Sequence, residues 1–303
     1  MVKKESMLPF VQPKDLVYIC APAKAIDEKS VRFAKTFFEQ NHFQVELSQH
    51  VLGQNNYFSG TEKERLADLQ AGLNHPEAKV ILCARGGYGC IQLLEQLDWT
   101  EFQKNPKWIV GFSDITVLHL ALSQMKISSL HATMPLNFEK NSPDSLTSFL
   151  RAIGKKEVKI TAVSSEFNIN GEATGILVGG NLAIVHAMLP YLEKNFFKDK
   201  ILFLEDVGEH LYQIDRMLYG LKFAGAFDNI AGLMLGGFTN ISDTDAPFGK
   251  TLEEIFAKHL AHKNIPVGFH FPCGHLNDNQ ALILGSPATL AVDLRQSTLS
   301  QSH

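Results

Sequence analysis

The chain has 303 residues, 45% of them hydrophobic and 20% charged, with a net charge of −4. That is the make-up of a globular protein of one large domain or two ordinary ones. It has no basic block and no acidic tail, so nothing electrostatic points to nucleic acid or to an anionic membrane, and no stretch approaches the length of a membrane span.

The opening MVKKESMLPFVQPKD has two lysines but no apolar run long enough for a signal-peptide core, so a cytoplasmic location is expected. Residues 16–23 (LVYICAPA) form a short apolar run with a Pro near its end, the pattern of a buried strand entering a loop. Residues 27–41 (DEKSVRFAKTFFEQN) have helical spacing, with Val31, Ala34, Phe37 and Phe38 on one side. FQVELS follows as a second strand. Residues 61–74 open on Thr61 with Glu64 three places on, a capping-box pattern. Residues 78–89 (AKVILCARGGYG) predict a third strand running into glycines, CIQLLEQL another helix and KWIVGF a fourth strand. This alternation implies β-α-β units and a mostly parallel sheet.

Residues 137–170 break the rhythm with runs rich in Asn, Ser, Asp and Glu, as expected of a connection between domains with some structure of its own. GILVGGNLAIVHAML then reads as strand, turn and helix, KILFLEDV as a strand ending in acids, and YQIDRMLYGLKFAGAF as an amphipathic helix. IAGLMLGGF, IPVGFHF and ALILGSPATLAVDL read as strands, and TLEEIFAKHL as a helix. The expected fold is two-domain α/β. An N-terminal unit (1–138) has a mostly parallel sheet flanked by helices. A connection (139–168) leads to a smaller C-terminal α/β unit (169–303) with a mixed sheet.

Ser113, in WIVGFSDITVLHLAL, has strand before it and helix after it, the setting of a nucleophile elbow. The G-x-S-x-G pattern is incomplete, because position 115 is Ile, and the plain alternative is that Ser113 or Asp114 caps the helix. RGGYG (85–89) is a glycine turn after a strand, where backbone amides can approach a ligand or an oxyanion; it has neither the G-x-G-x-x-G order nor the P-loop Lys. Glu205 and Asp206 end a strand, where open α/β sheets place their sites, with Glu209 four residues beyond Glu205 read as a surface acid. His275 lies in the polar turn FPCGHLNDN. Cys20, Cys83, Cys90 and Cys273 form no C-x-x-C pair and are expected to be free thiols; His259, His262 and His270 lack metal-site spacing, so no metal is expected.

Taken together, FSGTEKERLADLQ, ARGGYG, GFSDITVL, GGNL, LFLEDVGEHLYQIDRML and GH, in this order, resemble the LD-carboxypeptidases, serine peptidases that also include the microcin C self-immunity proteins. The resemblance spans about residues 16–294. It implies a nucleophile at Ser113, an acidic partner at Glu205 and a histidine at His275, with the site at the interdomain cleft. In that scheme the N–H of Asp114, with one from Gly86 or Gly87, forms the oxyanion hole, and Arg85 is a candidate for the substrate's terminal carboxylate. The implied substrate is a murein tetrapeptide or muropeptide. Its terminal D-Ala would be cut from an L-centre, meso-diaminopimelate or L-Lys, in peptidoglycan recycling. No cofactor is implied, and a homodimer is expected.

The alternative within the family is an immunity-type amidase acting on a peptidyl or aminoacyl nucleotide. That branch carries a nucleobase-stacking aromatic on an added loop, whereas Trp99 and Trp108, the two tryptophans here, both precede Ser113. Outside enzymes, the alternative is a two-domain anion-binding protein. One departure from the family pattern is GHLNDNQALILG, with Ile283 where many relatives have Pro.

Overall fold

The computed structural model describes residues 8–154 and 156–302; the opening stretch 1–7, part of the segment read for a secretion signal, lies outside the described residues. In chain order the strands are β1 (Leu16–Cys20), β2 (Gln44–Leu47), β3 (Ala78–Cys83), β4 (Trp108–Gly111), β5 (Ser129–His131), β6 (Val158–Val163) and β7 (Gly171–Asn181). They continue as β8 (Lys200–Val207), β9 (Gly232–Thr239), β10 (Val267–Gly268), β11 (Leu282–Leu284), β12 (Pro287–Val292) and β13 (Gln296–Gln301). They form a six-stranded sheet in the order β11-β5-β4-β3-β1-β2 and a seven-stranded sheet in the order β10-β9-β8-β7-β12-β13-β6.

In the first sheet β1 to β5 pair in parallel and only β11 runs antiparallel. Such a sheet is covered on both faces, which is why β1 and β4 are buried at every residue. The first two helices between its strands start where their capping residues dictate. Asp27 accepts from Ser30 N at 2.8 Å, and Thr61 and Glu64 close the capping box read from the sequence. CIQLLEQL is less regular than expected: one α turn (Cys90–Leu93) gives way to a 3-10 turn (Leu94–Gln96).

The second sheet is mixed: β10, β9, β8 and β7 are parallel, and β12, β13 and β6 add antiparallel pairs. IPVGFHF contributes only the two residues of β10. The stretch 139–168 is more than a tether. It contains the helix Pro143–Ile153 and then β6, the edge strand of the second sheet. The run ALILGSPATLAVDL divides between the sheets. β11 returns to the first sheet beside β5, Gly285 turns with φ +75°, and β12 joins the second. Among the described residues no helix is long and apolar enough to cross a membrane.

Candidate active site

β4 carries a fully buried run to Phe112, which is extended; Ser113 then turns to φ +64° and a 3-10 turn (Ser113–Ile115) leads into the helix Thr116–Gln124. A positive φ at a non-glycine residue costs about 1–3 kcal/mol and persists only where the surroundings enforce it. Neither Ser113 nor Asp114 caps a helix here. The N-cap of the 3-10 turn is Phe112, and neither it nor the following helix has a side-chain cap. The strained turn leaves Ser113 half-buried between neighbours that are fully buried.

The glycine turn after β3 lies against this serine. A Cβ added to Gly86 would fall 2.9 Å from Ser113 Cβ, 3.2 Å from Ser113 Oγ and 3.3 Å from Asp114 N, so any side chain there would displace the serine. The Asp114 N–H makes no hydrogen bond among the described residues, and the Gly111 carbonyl in the same turn instead accepts from Ala132 N and lies 2.9 Å from His119 Nε2. No hydrogen bond engages the N–H of Gly86 or Gly87 among the described residues. The N–H groups of Asp114, Gly86 and Gly87 are thus without a hydrogen-bond partner among the described residues, and Gly86 lies against Ser113; free backbone donors beside a nucleophile are what a developing oxyanion needs.

The Asp114 side chain holds the two turns together: its Oδ2 accepts from Cys90 N at 2.9 Å, at the exit of the glycine turn. Burial pushes the Asp114 carboxyl above its usual range, opposed by the Cys90 bonds and the Arg65 charge. Buried Arg65 braces the same exit through Pro22 O, Gly89 O and Gln92 Oε1. Arg85 is half-buried, and its Nη1 donates to Ala25 O at 2.8 Å, a prop for the loop after β1.

From the second sheet, Glu205 reaches His275. His275 Nδ1 lies 2.6 Å from Glu205 Oε2, which also accepts from His275 N at 3.2 Å. The carboxylate is fully buried and the imidazole slightly exposed. A carboxylate facing Nδ1 fixes the proton there and leaves the lone pair on Nε2. Burial alone would lower the imidazole pKa. The Glu205 charge and hydrogen bond, with help from Asp206, outweigh it and raise the pKa above its ordinary value. Gly274 makes the contact possible: its φ is +108°, and a Cβ there would stand 2.6 Å from Glu205 Oε2.

Asp206 faces the other way, as alternation along a strand demands. It accepts from Asn181 Nδ2, Ala183 N and Val207 N at 2.8–3.0 Å, holding the turn after β7. Burial and the neighbouring Glu205 charge push its pKa up to about 7. Glu209 lies in the loop beyond, its carbonyl accepting from Ser242 N.

The two halves meet at Phe112, whose ring stands edge-on to His275 with centroids 4.8 Å apart. No hydrogen bond joins Ser113 Oγ to His275 among the described residues; bonds of this kind often tighten only with substrate in place. The helix after Ser113 is tied to the second sheet by Asn181 N, which donates to Thr116 Oγ1 at 3.1 Å.

The departure GHLNDNQALILG now has a physical reading. Asn141 Nδ2 donates to Asn277 O at 2.8 Å, Ser142 N donates to Asn277 O at 2.9 Å, and Ser142 Oγ donates to Asp278 Oδ1 at 2.6 Å. Ser145 Oγ donates to Asn279 O at 2.8 Å, and Asn279 Oδ1 accepts from Gly274 N at 2.8 Å. The polar connection thus clamps the loop that carries His275. Ile283 needs its N–H, which donates to Gln301 Oε1 at 2.9 Å, so a Pro there would forfeit that bond. Asn279→Ala would leave the Gly274 N–H unpaired and loosen the loop. The expected result in steady-state kinetics is a kcat lower by about ten- to a hundredfold with KM little changed.

Sequence reasoning missed Phe112 as a shelf for His275 and Asn141, Ser142 and Asn279 as a clamp. The Asn- and Ser-rich composition of the connection was the available signal, but it reads equally well as an ordinary loop. Among the described residues no group of three or more His, Cys, Asp or Glu side chains is gathered as a metal site would require.

Residues 17–132 match the LD-carboxypeptidase N-terminal domain and residues 174–290 the LD-carboxypeptidase C-terminal domain. The chain is similar to a probable murein peptide carboxypeptidase of Bacillus subtilis, with 32% identity over 91% of this chain and 88% of the relative. It is also similar to a murein tetrapeptide carboxypeptidase of Pseudomonas aeruginosa, with 31% identity over 92% and 94%. Among solved structures, a muramoyltetrapeptide carboxypeptidase from Oxalobacter formigenes superposes with a TM-score of 0.87 at 26% identity, covering 95% of this chain and 99% of that one.

Proposed function

The chain belongs to the LD-carboxypeptidase family of serine peptidases, and from that premise we propose that it removes the terminal D-Ala of murein tetrapeptides with Ser113, His275 and Glu205 as its catalytic triad. The observation that carries the reading is the 2.6 Å contact between Glu205 and His275, beside the strained turn that presents Ser113 to the glycine loop.

In this mechanism His275 Nε2 takes the proton of Ser113 Oγ as the oxygen attacks the carbonyl of the L-centre. The tetrahedral oxyanion is held by the N–H of Asp114 and of Gly86 or Gly87, each such donor contributing about 3 kcal/mol. His275 then returns the proton to the amine of the leaving D-Ala. Water, deprotonated by the same nitrogen, releases the shortened peptide from Ser113. Glu205 keeps the imidazole in the tautomer that can act as base and stabilises the imidazolium between steps.

The pH dependence follows from the sign of the His275 shift. The neutral imidazole is the active base, so kcat/KM rises with pH through a pKa displaced upward by Glu205. In Glu205→Gln the lowering effect of burial remains while the Glu205 charge is gone. The acidic limb of the profile then moves to lower pH, with a lower plateau. A limb that stays in place while the plateau falls removes Glu205 from contact with the titrating base.

The substrate is tested by incubating the protein with a tetrapeptide ending in D-Ala, its L-Ala epimer and a peptidyl nucleotide, followed by mass analysis. Release of D-Ala, with the epimer and the nucleotide intact, is the expected result. Cleavage of the nucleotide alone assigns the chain to immunity-type chemistry, and turnover of none of the three leaves an anion-binding protein.

A further inference from the structure

A carboxypeptidase needs a counter-charge close to its nucleophile. The carboxylate carbon of the leaving residue lies two bonds beyond the scissile nitrogen, about 2.5 Å away on standard geometry. Whatever holds that carboxylate lies close to Ser113, and the wall of the glycine turn is in contact with that serine.

Two side chains form that wall. Lys24 N donates to Gly86 O at 3.3 Å, and Lys24 makes an isolated bridge with Phe58, so the loop after β1 is bound both to the glycine turn and to the 55–58 turn. A Cβ on Gly87 would lie 2.9 Å from Lys24 Cβ, 3.3 Å from Lys24 Cδ and 2.9 Å from the Tyr57 hydroxyl oxygen. Gly86 touches Ser113 and its neighbour Gly87 touches Lys24 and Tyr57, so one continuous surface runs from the serine to this pair. The ammonium is steered by the Tyr57 ring, with Nζ 4.6 Å from its centroid.

Apart from that ring contact, neither polar end has a hydrogen-bond or ion-pair partner among the described residues. Lys24 Nζ has no acid partner and Tyr57 Oη no hydrogen bond among the described residues, although the surface offers many acids and the net charge is −4. Tyr57 is 42% exposed. Arg85, the candidate from the sequence for this carboxylate, donates through Nη1 to Ala25 O, next to Lys24, and so supports the loop that carries the lysine.

We infer that Lys24 Nζ and the Tyr57 hydroxyl form the subsite for the terminal carboxylate of the leaving amino acid, and so make the enzyme prefer peptides with a free C-terminus. The inference rests on the peptidase reading above. A charge-assisted bond to the carboxylate favours the free acid, and the hydroxyl adds a second donor at fixed distance from Gly87. Neither side chain takes part in proton transfer. Their loss therefore changes recognition of the carboxylate and leaves the neutral parts of the reaction intact.

The test is steady-state kinetics of the wild type, Lys24→Met, Lys24→Arg and Tyr57→Phe on two peptides that differ only at the end: a tetrapeptide with free D-Ala and the same peptide ending in D-alaninamide. Reaction of Ser113 with a small neutral phosphonate reports whether the catalytic groups are intact in each variant. The expected result is a loss of about ten- to a hundredfold in kcat/KM on the free acid for Lys24→Met. The amide is turned over at the wild-type rate, Lys24→Arg recovers part of the loss, and Tyr57→Phe loses less. Equal losses on both peptides, or an undiminished preference for the free acid in Lys24→Met, overturn the subsite while the peptidase reading stands. A wild type that cleaves neither peptide removes both.

Discussion

Ser113→Ala is expected to fold as the wild type does and to lose turnover on the order of 10⁶-fold, the scale seen when the nucleophile of a serine triad is removed. The expectation has a structural motive beyond family membership. A serine at φ +64° in a turn without a capping bond spends backbone strain on no evident stabilising contact. Strain of this kind is kept where the position of one side chain matters. Alanine at the same φ carries similar strain, so the melting temperature should barely move while hydrolysis disappears. Thermal melts and turnover of a D-Ala tetrapeptide, measured on the same preparation, separate the two effects. A folded Ser113→Ala protein that still releases D-Ala would mean that another group attacks the carbonyl.

The next largest effect is expected at Glu205, and it is sharpest against its neighbours. Glu205→Gln keeps the volume but presents an amide to His275. An amide nitrogen turned toward Nδ1 would donate to it and push the ring proton onto Nε2, where it blocks base catalysis. The equivalent change in a comparable triad costs roughly 10⁴-fold in turnover. Asp206→Asn acts on a different part of the molecule. Its carboxylate gathers Asn181 Nδ2, Ala183 N and Val207 N, so one of these donors would then face an NH2 group. The expected result is a loss of about 1–3 kcal/mol in stability with at most about a tenfold loss of activity. Glu209→Gln, in the loop beyond the strand, should change little. Measuring kcat/KM for all three on one substrate, with melts, distinguishes the roles. An inactive Asp206→Asn beside an active Glu205→Gln would exchange their assignments.

The opposed directions of Glu205 and Asp206 were legible from the sequence alone, because adjacent residues on an extended strand face opposite ways. The strand–serine–helix join at residues 108–122, the Thr61 capping box and the parallel alternation of the first half were legible for the same reason: each depends on residues close in sequence. The return of β11 to the first sheet was not legible. Leu282, Ile283 and Leu284 read as a strand, but an apolar run does not say which sheet receives it, and only the pairing with Ser129–His131 decides. The clamp on the histidine loop was hidden likewise, since Asn141 and Asn277 are 136 residues apart. Lys24 and Tyr57 carried no motif at all. Their placement beside Gly87 depends on the loop after β1 folding onto the glycine turn after β3.

The most direct measurement of the central claim is covalent. The wild type, Ser113→Ala and Glu205→Gln are treated with a fluorophosphonate, and the labelled protein is digested and mapped by mass spectrometry. The account predicts one phosphonyl group on Ser113 in the wild type, with parallel loss of D-Ala release, no label in Ser113→Ala and markedly slower labelling in Glu205→Gln. Label on a different residue that abolishes D-Ala release while Ser113 stays unmodified would contradict it.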